Sequence, residues 1–296
     1  MSAGLWAAIA AYGCWGLFPL YLKHLAHVSP LEVVMHRSWW SLLLVLALLA
    51  AARRLGALRD AARSPRLLLT CAATAVLLTT NWLVYVWAVV NDRVVDASLG
   101  YFINPLVNVL LGYVVLRERP RALQWAAIGC AACGVLWLGV SAGHWPWVSL
   151  ALGISFGFYG LLRKTAPVGA AEGLALETAW LAPLALGGML WLAARHEGHF
   201  GQGDFATDAL LLAAGPATAV PLLLFAMAAR RVSLTTLGLL QYLAPSIQFA
   251  LGVWLYREPF GPARAVGFAA IWLGLLLYSG EGLLRWRRRS SVAAQA

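Results

Sequence analysis

The sequence predicts an all-α integral membrane protein of ten transmembrane helices, folded as two inverted five-helix repeats. Three observations carry this. Hydrophobic residues make up 61% of the chain and charged residues only 11%, against about 25% charged in a soluble domain. The 296 residues accommodate about ten spans of roughly 20 residues each with short connections, leaving no length for a soluble catalytic domain. Finally, Tyr101-Phe-Ile-Asn-Pro-Leu-Val-Asn-Val-Leu-Leu-Gly112, followed by Arg117-Glu118, returns 140 positions later as Gln241-Tyr-Leu-Ala-Pro-Ser-Ile-Gln-Phe-Ala-Leu-Gly252, followed by Arg257-Glu258.

The first span runs from Ala3 to Leu22. No basic leader precedes it and Lys23 follows, so a cleaved signal peptide is not expected. The second, Leu31 to Ala52, carries Glu32, His36 and Arg37 and ends at a basic cluster, Arg53, Arg54, Arg59, Arg63 and Arg66. The third, Leu67 to Val90, places Asn81 and Tyr85 on one face. After the turn Asn91-Asp-Arg93 comes the fourth, Asp96 to Leu116, then the fifth, Ala122 to Val140. His144-Trp-Pro-Trp147 reads as an interfacial turn with its tryptophans at headgroup level. The sixth span, Val148 to Leu162, ends at Arg163-Lys164, and the seventh, Ala171 to Ala194, holds Glu177 well inside. A polar, glycine-rich loop, Arg195 to Thr207, leads to the eighth, Asp208 to Ala229. The ninth, Leu234 to Tyr256, and the tenth, Pro262 to Gly280, complete the set. Residues 1–143 and 144–281 form the two repeats, and 282–296 a basic tail whose Arg285 to Arg289 cluster suits anionic headgroups.

The net charge of +10 does not indicate nucleic acid, because the basic residues sit between apolar runs. With the amino terminus in the cytoplasm, sixteen of the twenty-two Lys and Arg fall in inside loops and the tail. Five fall outside (Lys23, Arg93, Arg195, Arg257 and Arg264), and Arg37 lies within a span. Both termini are therefore expected in the cytoplasm of a cell-membrane protein. Cys14, Cys71, Cys130 and Cys133 lie in apolar runs. Cys130 and Cys133 have the spacing of half a metal site, but no second pair or nearby histidine completes it, so they read as packing residues and no cofactor is expected.

In each copy of the repeated stretch a polar residue, a proline, an amide and a glycine recur at i, i+4, i+7 and i+11: Tyr101, Pro105, Asn108, Gly112, then Gln241, Pro245, Gln248, Gly252. On a helix this is one stripe. The proline frees the carbonyl four residues back, tolerable within a bilayer only against protein or a water-lined cavity. Two such stripes imply a shared polar chamber with helix kinks at Pro105 and Pro245. Gly134/Gly274, Leu111/Leu251, Arg37/Glu177 and Trp40/Trp180 match at the same offset. Gly13/Gly157 and Gly16/Gly160 match at 144. Five spans is an odd number, so the second copy enters from the opposite side. Secondary transporters place their substrate near the midplane between such inverted repeats.

The half containing Pro105, Glu118, Gly129 and Gly134, paired with one containing Pro245, Glu258 and Gly274, resembles the EamA repeat of the drug/metabolite transporter superfamily. The second half departs from the pattern, with Gly267 and Ala269 where a glycine matching Gly129 would sit. More narrowly, His36-Arg-Ser-Trp-Trp40, Asn81-Trp-Leu-Val-Tyr85, Ser98-Leu-Gly-Tyr-Phe-Ile-Asn-Pro105, Leu176-Glu-Thr178 and Gln241-Tyr-Leu-Ala-Pro245 look like the RarD permease subfamily. The resemblance covers Gly4 to Gly280. It implies ten spans, a basket with a central cavity, and export or exchange of a small metabolite or drug-like molecule, with substrate and coupling ion left open.

The substrate-cavity candidates are Asn81, Tyr85, Tyr101, Asn108, Gln241 and Gln248, with Asn104 beside the stripe and Tyr12 and Trp15 as aromatic walls. For each the competing reading is ordinary helix packing or an interhelical amide bond. Glu177 is the deepest carboxylate, and a charge there calls for an interior position and a use. It reads either as a proton-coupling or substrate-ammonium site or as a structural partner of Arg37 or of a backbone group. His36 reads as a proton relay or as a histidine hydrogen-bonded between helices. The lone deep carboxylate and the amides suit zwitterionic or polar neutral substrates. An intramembrane lipid-modifying enzyme and a channel are the alternatives. The chain has no HExxH, GxSxG or Walker A string.

Overall fold

The computed structural model describes residues 3–117, 119–143, 145–229, 231–232 and 240–293, with the side chains of 226, 229 and 281–293 also outside the description. Expectations that rest on Glu118, on His144, on the start of the ninth span at Leu234, and on the side chains of Arg285 to Arg289 lie outside the described residues.

The described chain is helical, with no strand among the described residues. The helices are α1 (Ala3–Lys23), α2 (Pro30–Ala51), α3 (Leu55–Ala62), α4 (Pro65–Val90), α5 (Val94–Val114), α6 (Ala122–Ala142), α7 (Trp147–Thr165), α8 (Ala170–Arg195), α9 (Phe205–Ala229), α10 (Leu243–Ala250) with a π turn over Leu251–Leu255, and α11 (Pro262–Ala293). The starts of α2 and α4 follow one local rule. The hydroxyls of Ser29 and Ser64 accept the backbone N–H of Glu32 at 3.2 Å and of Leu67 at 3.4 Å. The prolines that follow them need no intrahelical donor at a first helical position. Arg117 and Arg257, 140 positions apart, both end their segments in the left-handed region, at φ 55° and 54°.

Two elements differ from expectation. The basic stretch after the second span contains the short helix α3, whose residues are mostly exposed. The last helix does not stop at Gly280 but continues to Ala293. No proline interrupts it, and the leucines and arginines of the tail are good helix formers.

Among the described residues eight helices are long and apolar enough to cross a membrane: α1, α2, α4, α5, α6, α8, α9 and α11. Of the two remaining expected spans, the ninth (Leu234 to Tyr256) is described only from 240 onward, and its described helix, Leu243–Leu255, is by itself shorter than a bilayer core is thick. The other, α7, carries Arg163 and Lys164 in its last turn.

The packing is paired. Helix α1 lies on α9 and α10, while α7 lies on α4 and α5; α2 meets α8 and α9, α4 meets α8, α5 meets α10, and α6 meets α11. These contacts map onto one another when α1, α2, α4, α5 and α6 are exchanged with α7, α8, α9, α10 and α11 in order. The α6–α11 seam shows the same exchange atom by atom. A Cβ on Gly134 would lie 2.7 Å from the carbonyl oxygen of Gly267, and one on Gly274 would lie 2.6 Å from that of Ala127. The largest apolar core joins α1, α2, α4, α5, α7, α8 and α9. Large apolar side chains such as Leu69, Val140, Leu184, Trp254 and Leu276 point outward from the bundle.

Candidate functional site

Among α1, α2, α4 and α9 a cation is held by aromatic faces. Arg37 on α2 is buried, and its guanidinium carbon sits 4.7 Å from the Phe18 ring centroid and 4.4 Å from that of Trp82. Both contacts are in cation–π range. Its Nε donates to the Thr218 hydroxyl on α9 at 2.8 Å, whereas Nη1 has no acceptor. The aromatic lining continues from Phe18 to Tyr21 (5.3 Å between centroids) and Tyr85 (6.2 Å), and from Tyr85 to Tyr101 (5.7 Å). The Tyr85 hydroxyl has no partner either.

From there a line of rings crosses the bundle to the second buried charge. Tyr101 meets Phe156 at 6.0 Å, and Phe156 meets Tyr159 at 5.7 Å. The Tyr159 hydroxyl donates to Glu177 Oε2 at 3.3 Å, and Glu177 Oε1 lies 3.6 Å from Arg163 Nε. Glu177 is fully buried. The structural partner expected for it was Arg37; the structure supplies Arg163 instead. Tyr159 and Arg163 are one helical turn apart on α7 and face α8 together.

The remaining expected site residues do not gather in one chamber. Asn81 spends its amide on helix contacts: Nδ2 donates to the Leu152 carbonyl (3.1 Å) and the Ser155 hydroxyl (3.0 Å), and Oδ1 accepts from Tyr101 at 3.2 Å. It clamps α4, α5 and α7. Tyr12 and Trp15 pack with Phe225 at 6.0 and 5.9 Å. Gln248 Nε2 donates to the Trp15 carbonyl at 3.0 Å, and its Oε1 is buried without a partner. Asn104 is buried with Oδ1 unpartnered. Asn108 is elsewhere, lining a cavity of about 260 Å³ with Arg119, Gln124, Lys164 and Tyr278. Gln241 sits half-buried in the turn before α10.

His36 does not bridge helices. Its Nδ1 accepts the indole N–H of Trp40, one turn along its own helix, at 2.9 Å, and its ring meets Phe200 at 4.8 Å. Because indole only donates, that contact requires Nδ1 to be the unprotonated nitrogen. Pro105 is buried within α5. Pro245 is buried in the first turn of α10, just after the turn at 241–242.

Glu258 performs a task the sequence did not show. From the loop before α11 it reaches across to α5. There it accepts the backbone N–H groups of Val94 (2.6 Å) and Val95 (2.8 Å) at the helix start, two donors that need an external acceptor. Burial holds its carboxyl above the ordinary carboxylate range, outweighing the two backbone donors. Phe18, Tyr21, Trp82, Tyr159 and Arg163 were also missed. Arg163 read as a topology determinant at a span end, and only its i, i+4 spacing from Tyr159 hinted at a shared face. Among the described residues no three His, Cys, Asp or Glu side chains gather as a metal site.

The model of the EamA-like transporter family matches residues 2–140. Protein RarD of Streptomyces exfoliatus is 45% identical over 99% of this chain and 93% of its own length. An uncharacterized transporter of Pseudomonas aeruginosa is 43% identical over 97% of each, and Protein RarD of Escherichia coli is 41% identical over 97% of each. A solved crystal structure shares the fold at a TM-score of 0.60 and 19% identity, covering 94% of this chain and 96% of its own. A multi-pass chain this similar to RarD proteins over nearly its whole length is a RarD-type permease, a member of the EamA-like transporter family.

Proposed function

We propose that the protein is a secondary active carrier that moves a small polar metabolite or drug-like molecule across the cytoplasmic membrane by alternating access. Its two halves, residues 1–143 and 144–281, would be inverted copies with ten spans in all and both termini in the cytoplasm. The observation that carries this reading is the exchange symmetry of the packing, above all the reciprocal approach of Gly134 to Gly267 and Gly274 to Ala127. An inverted repeat supplies two equivalent ways of closing around one midplane site.

The α6–α11 seam is too close-packed to open. Movement therefore falls to the faces where α1 meets α9 and α10, and α7 meets α4 and α5. In this topology Arg37 lies in the outer third of its span and Glu177 in the inner third, joined by the ring line through Tyr101 and Tyr159. Lys23 and Asp92 form an ion pair over the Tyr256 ring at the outer end. Glu177, with Arg163 as its counter-charge, is the coupling candidate, and protons are the coupling ion it would serve. Several full-length relatives carry the name transporter, which favours transport over intramembrane chemistry.

Counterflow in proteoliposomes tests the reading. Liposomes loaded with excess unlabelled compound are diluted into a trace of the labelled form, with metabolite pools and drug-like amphiphiles as the panel. A carrier accumulates label transiently and saturably for at least one compound. Passage without saturation would make it a channel, and conversion of the compound an enzyme.

A further inference from the structure

We infer that Arg37 anchors a small organic monoanion, a carboxylate carried on a flat apolar body, within the carrier pathway; this rests on the transport reading above. The inference begins with charge. A buried cation in a lipid-embedded bundle is expected to pair with an acid or a ring of acceptors. Glu177 already has Arg163 at 3.6 Å, and among the described residues no carboxylate pairs with Arg37. Thr218 takes Nε, while Nη1, buried, has no acceptor. One uncompensated positive charge matches one negative charge.

The surroundings specify the rest of the ligand. The guanidinium lies between the faces of Phe18 and Trp82, which stabilise its charge without accepting its N–H groups as an oxygen would. The hydroxyl of Tyr85, whose ring stacks on the same Phe18 that the guanidinium covers, is a second buried donor without a partner among the described residues. A planar carboxylate accepts from both an arginine and a phenol. The chain of rings from Phe18 to Tyr21 and through Tyr85 to Tyr101 suits an aromatic or similarly flat body. This reverses the preference for an ammonium or zwitterion drawn from Glu177, whose charge is already balanced by Arg163.

The test uses purified full-length protein and three isosteric probes: benzoate, benzamide and benzylammonium. Calorimetric titration should show saturable benzoate binding, with the neutral and cationic probes at least tenfold weaker. Arg37→Gln should abolish benzoate binding. Arg37→Lys, which keeps the charge if the glutamine variant fails to fold, should retain the preference for benzoate over benzamide at lower affinity. Tyr85→Phe, which keeps the ring, should weaken benzoate by about tenfold, the value of one charge-assisted hydrogen bond. No benzoate binding, equal binding of the three probes, or full affinity in Arg37→Gln overturns the inference. Labelled benzoate counterflow separates the two readings. Benzoate bound through Arg37, with no compound of the panel exchanged, would uphold the anion site and defeat transport. Exchange of other compounds without benzoate binding would uphold transport and defeat the anion site.

Discussion

Gly134 approaches Gly267 so closely that a Cβ on Gly134 would lie 2.7 Å from a backbone oxygen. Backbone cannot yield as a flexible side chain can, so Gly134→Val should force α6 and α11 apart. We expect a loss of about 1–3 kcal/mol, the usual range for overpacking. Gly274→Val should lose a similar amount, because it meets the equivalent backbone oxygen. Thermal unfolding in detergent checks both, and the control Gly129→Val, where nothing lies within 4 Å, should behave as wild type.

Asn81 joins three helices through three hydrogen bonds. Asn81→Ala strands the Tyr101 hydroxyl in the interior and should destabilise by about 1–3 kcal/mol. Tyr101→Phe breaks one of the three bonds and should lose less. If Asn81→Ala melts as wild type, Asn81 is not a clamp.

Glu258 couples the loop before α11 to the start of α5. Its folded pKa is raised, so its contribution to stability is fully present below the unfolded carboxyl pKa and is lost as pH rises through the folded value. Melting temperature should therefore fall across the range just above ordinary glutamate titration, and Glu258→Gln should remove that slope. Glu258→Ala, which leaves the Val94 and Val95 N–H groups without an acceptor, should be destabilised at every pH. Melting curves from pH 4 to 8 for the three proteins read both effects.

Glu177→Gln should abolish the pH dependence of exchange in proteoliposomes if the Glu177–Arg163 pair couples transport to protons. An unchanged pH profile would leave Glu177 a structural partner of Arg163.

The helices were legible because apolar length and basic loops are local properties. The reciprocal seam of α6 and α11 was foreshadowed by Gly134 and Gly274, which match 140 positions apart. Which polar side chains share a chamber was not, since that depends on helix rotation. Asn81 and Asn108 both sat on polar stripes, yet one clamps three helices and the other lines a separate cavity. Arg163 and Glu258 lay near predicted span ends, where charge reads as topology, and only the tertiary contact showed that each turns inward. The partner of Glu177 was out of reach for the same reason: offset symmetry pointed to Arg37, whereas α7 packs its own arginine against α8.

The central claim is that corresponding loops of the two halves lie on opposite sides of the membrane, and cysteine labelling in intact cells measures it directly. In a variant lacking Cys14, Cys71, Cys130 and Cys133, Arg59→Cys on α3 and Gln202→Cys in the α8–α9 loop are both exposed positions. A membrane-impermeant maleimide added outside should label Gln202→Cys at once and Arg59→Cys only after permeabilisation. Equal labelling of the two in intact cells would contradict the inverted repeat and the carrier built on it.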